Sequence, residues 1–171
     1  MPVWQPAYIG LGSNLHQPRE QVERAFTELA RLPHSTALVR SRYFLSQPLG
    51  RLDQPHFVNA AAGLLTQLSA PQVLQALRAI ETAFGRPERR ERWGPRVIDL
   101  DLLSFAHERR TTPELTLPHP GIPERNFVLY PLADIAPDLE LPGLGRVAEL
   151  KERIGSAGIN VLDSDGERDR S

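Results

Sequence analysis

Two stretches of helical spacing, each set between runs that read as strands, limit the fold of this chain more than any other feature. From Pro18 the apolar residues Val22, Ala25, Phe26 and Leu29 recur at three- and four-residue steps, and Pro33 closes the segment. A second helix is predicted from Ser69, which stands in capping-box spacing with Gln72. Val73, Leu74, Leu77, Ile80 and Phe84 form its apolar stripe, and Gly85 terminates it. AYIGLG (7–12) reads as a strand before a GSN turn, and TALVRSRYFLS (36–46) as another before the breaker-rich loop QPLGRLDQPH (47–56). FVNAAAGLLTQL (57–68) is a strand with small-residue interruptions, and VIDLDLL (97–103) follows the charged loop RPERRERWGP (86–95). The order β-α-β-β-α-β is the signature of an α+β, ferredoxin-like split βαβ sandwich.

Beyond that unit, LTLP (115–118) predicts a short strand and FVLYPLADIA (127–136) a last helix. The polar, Gly/Ser/Asp-rich residues from Gly155 predict a flexible tail, giving one domain over 1–154 and a tail over 155–171. A length of 171 residues suits one compact domain with a real core. The absence of cysteine excludes disulfides and thiolate metal sites, and fits a reducing cytoplasm. No run approaches the roughly 20 apolar residues of a membrane span, and MPVWQPAYIG lacks a signal-peptide pattern. A formal net charge of −1 argues against a dedicated nucleic-acid binder. Lys151 is the sole lysine, so arginine carries nearly all the positive charge, with a dense cluster at Arg86, Arg89, Arg90, Arg92 and Arg96.

The run RWGPRVIDLDLL (92–103) joins that cluster to two acids. Strand side chains alternate, so Asp99 and Asp101 project from one face with Cα atoms roughly 6.5–7 Å apart, while Leu100 points the other way. Two carboxylates so close raise one another's pKa unless a cation joins them. One reading leaves both solvated on an exposed sheet face, paired with nearby arginines. The other joins them through Mg²⁺, the usual partner of one or two carboxylates plus phosphates, with guanidinium forks binding the phosphates. An arginine-rich loop entering the strand directly favours the second, a Mg²⁺-nucleotide site suited to phosphoryl transfer. GLGSN is a turn rather than a Walker A loop, having two glycines and no lysine. The histidines show no metal-ligand spacing, but His119 stands in a rigid setting between Pro118 and Pro120.

These residues resemble the 6-hydroxymethyl-7,8-dihydropterin pyrophosphokinase family of folate biosynthesis, from about Ala7 to Leu150. The resemblance is carried by YIGLGSN (8–14), QPLG (47–50), DQPHFVNAA (53–61), Ile80-Glu81, Gly85-Arg86, RWGPRVIDLDLL and LPHPGIPERNFVLYPL (117–132). It implies the ferredoxin-like fold with a C-terminal extension, and transfer of pyrophosphate from ATP to a pterin alcohol with AMP leaving. It implies two Mg²⁺ ions on Asp99 and Asp101, with Arg86 and Arg96 joining these acids as catalytic residues. ATP would meet Glu81, Arg86, Arg92, Trp93, Arg96, Leu102, Thr116, His119 and Arg125. The pterin would lie among Gly12, Ser46, Pro48, Leu49, Phe57, Asn59, Trp93 and Phe127, with the two phenylalanines stacking and Asn59 reading the ring edge. Trp93 would ride a loop that closes over the site.

Two departures from the family pattern stand out: Glu88 sits where some members carry arginine, and Phe57 replaces a frequent tyrosine. No strong general base is evident. Asp99 is expected to orient the pterin hydroxyl, and His119 or an arginine to stabilise the leaving AMP. The expected partners are small molecules, with no nucleic acid or membrane, and a monomer is expected. One rival is a transferase with another acceptor, against which Phe57 and Asn59 weigh. Another is an RNA-binding module of the same fold, which would want a basic sheet face with exposed aromatics.

Overall fold

The computed structural model describes residues 3–47, 55–85 and 97–162. Within them the chain runs β1 (Gln5–Ser13), α1 (Pro18–Ala30), β2 (Ser35–Arg40), β3 (Phe44–Ser46), β4 (Phe57–Thr66), α2 (Ala70–Ala83) and β5 (Asp99–Phe105). There follow β6 (Arg110–Thr111), β7 (Thr116–Leu117), a 3-10 turn (Ile122–Glu124), α3 (Asn126–Ile135), β8 (Glu140–Leu141), β9 (Gly145–Arg146), α4 (Val147–Ile154) and β10 (Ile159–Val161). The main sheet is antiparallel at every pairing, in the order β10-β3-β4-β1-β5, with β2 also paired to β4.

Alternation along the central strands separates two cores. Ala7, Ile9 and Leu11 of β1, Val58, Ala60, Ala62 and Leu64 of β4, and Ile98, Leu100 and Leu102 at β5 pack with Val22, Phe26 and Leu29 of α1 and with Val73 and Leu77 of α2. On the opposite face Leu103 joins Ile122, Leu129, Leu132, Leu141, Val147 and Leu150 in a smaller core under α3 and α4. Both predicted helical stripes face the larger core, with Leu74 and Phe84 of the second only partly buried at its edge. At α2 the capping box is complete: Ser69 Oγ accepts from the Gln72 amide at 3.3 Å, and Gln72 Oε1 from the Ser69 amide at 2.8 Å.

Besides the two-residue strands β6, β8 and β9, three features differ from the sequence reading. The single strand expected over 36–46 is two, β2 and β3, broken at residues 41–43. There Ser41 Oγ replaces a main-chain acceptor for the Ala61 amide (2.8 Å), and the Arg42 amide turns to Asp134 Oδ2 (2.9 Å). The helix at α3 is not the last, because the short α4 follows it. The tail expected from Gly155 is part of the sheet as far as β10, where Ile159, Asn160 and Val161 pair with Ser46, Leu45 and Phe44; residues 163–171 lie outside the described residues.

Candidate active site

The register of the sheet assembles the site. Gly12 stands opposite Asn59 on one side and Asp99 on the other, and Asn59 in turn faces Phe44. Directly opposed residues in an antiparallel sheet point to the same face, so Asn59 and Asp99 look out over a strip whose middle is glycine. One step along, Gly10 lies between Ala61 and Asp101, and Ser46 opposes Phe57. A Cβ on Gly12 would sit 3.3 Å from Asn59 Oδ1 and 3.8 Å from Phe57 Cδ1. The absent side chain therefore leaves a floor between an amide, a phenyl ring and two acids.

On the amide side, Asn59 is 4% exposed and its Nδ2 donates to Ser46 Oγ at 2.7 Å. That bond fixes the plane of the amide. Phe57 and Phe127 are both half-buried. The neighbouring Asn14, also buried, donates through Nδ2 to the Pro55 carbonyl at 2.9 Å and holds the approach to Phe57.

On the acid side, Asp99 is half-buried. Solvent reaches Asp101, yet protein surrounds it closely enough that lost solvation pushes its carboxyl above the ordinary range. A positive charge on His119, when the ring is protonated, opposes that rise, the Asp99 charge adds to it, and Arg125 and Arg78 oppose it. His119 is held close by two contacts: its amide donates to the Leu103 carbonyl at 2.9 Å, and its Nδ1 accepts from the Gly121 amide at 3.0 Å. Leu103 is the residue at which the β1–β5 register slips by one, so a bulge meets the His119 segment two residues beyond Asp101. Burial, and after it Arg125, hold the His119 imidazole below its usual range against the pull of Asp101. The ring is neutral near pH 7, with Nδ1 accepting and the proton on Nε2. Arg125 closes this side. Its guanidinium lies where a side chain on Gly121 would be, 2.8 Å from that Cβ position.

Glu81, expected beside the nucleotide, is 1% exposed and turned to the strand: Oε2 accepts the Leu100 amide, between the two acids, at 2.8 Å. It ties α2 to the acid-bearing segment of β5. Arg78, one turn earlier on α2, lies 3.8 Å from Glu81 Oε1 and contributes to the field at Asp101. Its i,i+3 spacing from Glu81 was the available signal in the sequence. The Leu102 side chain is buried in the helix-side core. Thr116 is half-buried in β7, opposite Thr111. Arg86, Arg92, Trp93, Arg96, Pro48 and Leu49 lie outside the described residues. Among the described residues no cluster of three or more metal-binding side chains occurs. The donor set at β5 is two carboxylates, which suits a hard cation that draws its other ligands from phosphate and water.

A family model described as 7,8-dihydro-6-hydroxymethylpterin-pyrophosphokinase (HPPK) matches residues 8–137. The chain is 46% identical to the 2-amino-4-hydroxy-6-hydroxymethyldihydropteridine pyrophosphokinase of Pseudomonas aeruginosa, over 92% of this chain and 97% of that one. The chain belongs to the HPPK family. A second HPPK relative, from Haemophilus influenzae, is 42% identical over 86% of this chain and 92% of its own length. Among solved structures, Plasmodium falciparum HPPK-DHPS superposes with a TM-score of 0.68 at 13% identity, covering 88% of this chain and 44% of that longer one. That likeness supports the mixed α/β HPPK fold with its antiparallel sheet.

Proposed function

We propose that the cleft over β1, β4 and β5 is where this pyrophosphokinase transfers pyrophosphate from ATP to the hydroxyl of 6-hydroxymethyl-7,8-dihydropterin, giving the pterin diphosphate and AMP in folate biosynthesis. Family membership supplies the reaction. The row Asn59–Gly12–Asp99 supports this place, because it sets an amide and a carboxylate on one face with only a glycine between them. The sheet order β5-β1-β4-β3, with α1 and α2 on one face, supports a ferredoxin-like βαββαβ unit followed by a C-terminal extension.

The flat heterocycle lies over Gly12 with Phe57 and Phe127 as its stacking faces and Asn59 hydrogen-bonding its edge; Ser46, Pro48, Leu49 and Trp93 complete the wall. ATP lies across the outer edge of β5, between the helix α2 side and the Thr116–Arg125 segment, with Arg86, Arg92 and Arg96 on its phosphates. Asp99 and Asp101 would hold two Mg²⁺ ions, which when bound supply charge neutralisation on phosphate oxygens either side of the bond that breaks. Asp99, level with Asn59, accepts a hydrogen bond from the pterin hydroxyl and aims its oxygen at the β-phosphorus. A bond then forms from the hydroxyl oxygen to that phosphorus as the bond from the phosphorus to the oxygen bridging it to the α-phosphate breaks, and the hydroxyl proton passes by way of Asp99 to solvent. His119, neutral with Nε2 protonated, donates to the phosphate of the departing AMP, and Arg125 adds positive charge there.

AMP release from ATP and Mg²⁺ tests this reading, with and without the pterin, in the wild type and Asp101→Ala. Pterin-dependent AMP that disappears in the variant is the expected result. AMP formation that ignores the pterin, or survives the substitution, would sink it.

A further inference from the structure

The two sides of the pterin slot come from distant parts of the chain. One is the end of β3, where Ser46 accepts from Asn59. The other is the first turn of α3, which carries Asn126 and Phe127. A single segment touches both, and it lies beyond residues 8–137 that match the family model. Asn126 Nδ2 donates to the carbonyls of Gly155 (3.1 Å) and Ala157 (2.8 Å). Directly after, the Gly158 carbonyl accepts from the Gln47 amide at 3.3 Å, and Ile159 pairs with Ser46. The Leu162 amide then donates to the Tyr43 carbonyl at 2.8 Å. Between the two attachments the chain turns at Gly155 and Gly158, with φ of 81° and 77°, a region that favours glycine.

Asn126 is an unusual use of its residue type. Asparagine at a helix start commonly caps the helix through its side-chain oxygen. Here the N-cap is Arg125, without a side-chain cap, and the Asn126 NH₂ group points to a loop some 30 positions away. Both contacts need a donor, which an amide supplies and a carboxylate does not.

We propose that residues 155–162 are a clasp that sets the width of the pterin slot, with Asn126 as its positioning residue. This rests on the reading of the slot as lying between the Ser46–Asn59 pair and Phe127. The hydrogen-bonded path from Asn126 through Ala157, Ile159 and Ser46 to Asn59 joins the amide that reads the ring edge to the helix that carries a stacking ring. Loosening it lets the walls part while the acids and the β5 edge stay in place. Pterin affinity should therefore fall without loss of nucleotide affinity.

The test measures dissociation constants for the pterin and for a non-hydrolysable ATP analogue, together with melting temperature, in the full chain. The variants are Asn126→Asp, Gly158→Ala and, as a control on the slot itself, Asn59→Ala. Asn126→Asp keeps the shape and removes the two donors; Gly158→Ala strains the turn from a separate position and serves if the first variant does not fold. The expected result is a pterin dissociation constant raised about tenfold in both clasp variants, with the ATP-analogue constant unchanged. If Asn59→Ala weakens pterin binding while both folded clasp variants bind it normally, the clasp is wrong and the slot stands. Equal losses for both ligands would make the segment merely structural and also overturn the proposal. If Asn59→Ala leaves pterin binding intact, the slot reading fails, and the clasp fails with it.

Discussion

Gly12 is the residue on which the geometry of the cleft turns. Its neighbours across the sheet are the amide and the acid that, in the proposed function, address opposite ends of one acceptor molecule, and any side chain there would occupy the floor between them. In Gly12→Ala the new methyl sits 3.3 Å from Asn59 Oδ1, tight enough to shift the amide but not to break the strand. The expected outcome is a pterin dissociation constant raised about tenfold, an unchanged constant for the ATP analogue, and a melting temperature close to wild type; calorimetric titration of both ligands checks it. The two acids were legible at this scale because a period of two places Asp99 and Asp101 on one face whatever surrounds them. Glu81 was not. Its spacing marks it as a helical acid, but its bond to the Leu100 amide depends on how α2 docks on β5, which no local pattern encodes. Asn126 was hidden for the same reason, its partners being 29 and 31 residues away.

Among the elements, the ones with long periodic patterns were readable and, apart from β7, the short ones were not. Helices α1 and α2 each bury a stripe at helical spacing, which propensity and solvent alone select. The β2–β3 break is different, because residues 41–43 look like strand and are turned out of it by a tertiary ion pair. Arg42 donates to Asp134 of α3 through its amide and Nε (both 2.9 Å to Oδ2) and through Nη2 (2.8 Å to Oδ1). Burial alone would push the Asp134 carboxyl up; the hydrogen bonds from Arg42 and its charge outweigh that and hold it below its ordinary value. A carboxyl depressed in the folded state stabilises the fold above its unfolded pKa of 3.8, and that contribution is lost as pH falls through the folded value. Asp134→Asn should be less stable than wild type by about 1 kcal/mol at neutral pH, a modest figure because Arg42 is largely exposed. The difference should close progressively as pH falls below 3.8, and urea unfolding of both proteins across that range measures it. A gap that stays constant with pH would mean that the pair does not brace β3 against α3. Helix α4 and strand β10 escaped the sequence reading because eight and three residues are too few to show a period.

At the scale of the whole molecule, one sheet separates two cores of unequal size, and the cleft shares its face with the smaller one. The larger core, under α1 and α2, carries Leu77; the smaller, under α3 and α4, carries Leu129, and both side chains are fully buried. Leu77→Ala and Leu129→Ala should each destabilise the fold by about 2–5 kcal/mol through lost burial and a residual cavity. Because β1 and β5 contribute to both cores, the chain should still melt in one transition in either variant. The ligands should tell them apart. Leu129 lies one turn from the start of α3, two residues after Phe127, so a cavity there lets that helix shift and weakens pterin binding in protein that remains folded. Leu77 faces the opposite side of the sheet, where a cavity leaves the Asn59–Gly12–Asp99 row in register. Melting curves followed by far-ultraviolet circular dichroism, with pterin titrations well below each midpoint, separate the two effects. A Leu129→Ala protein that loses stability but binds the pterin as tightly as Leu77→Ala would show that the second core supports the fold alone and has no part in shaping the slot.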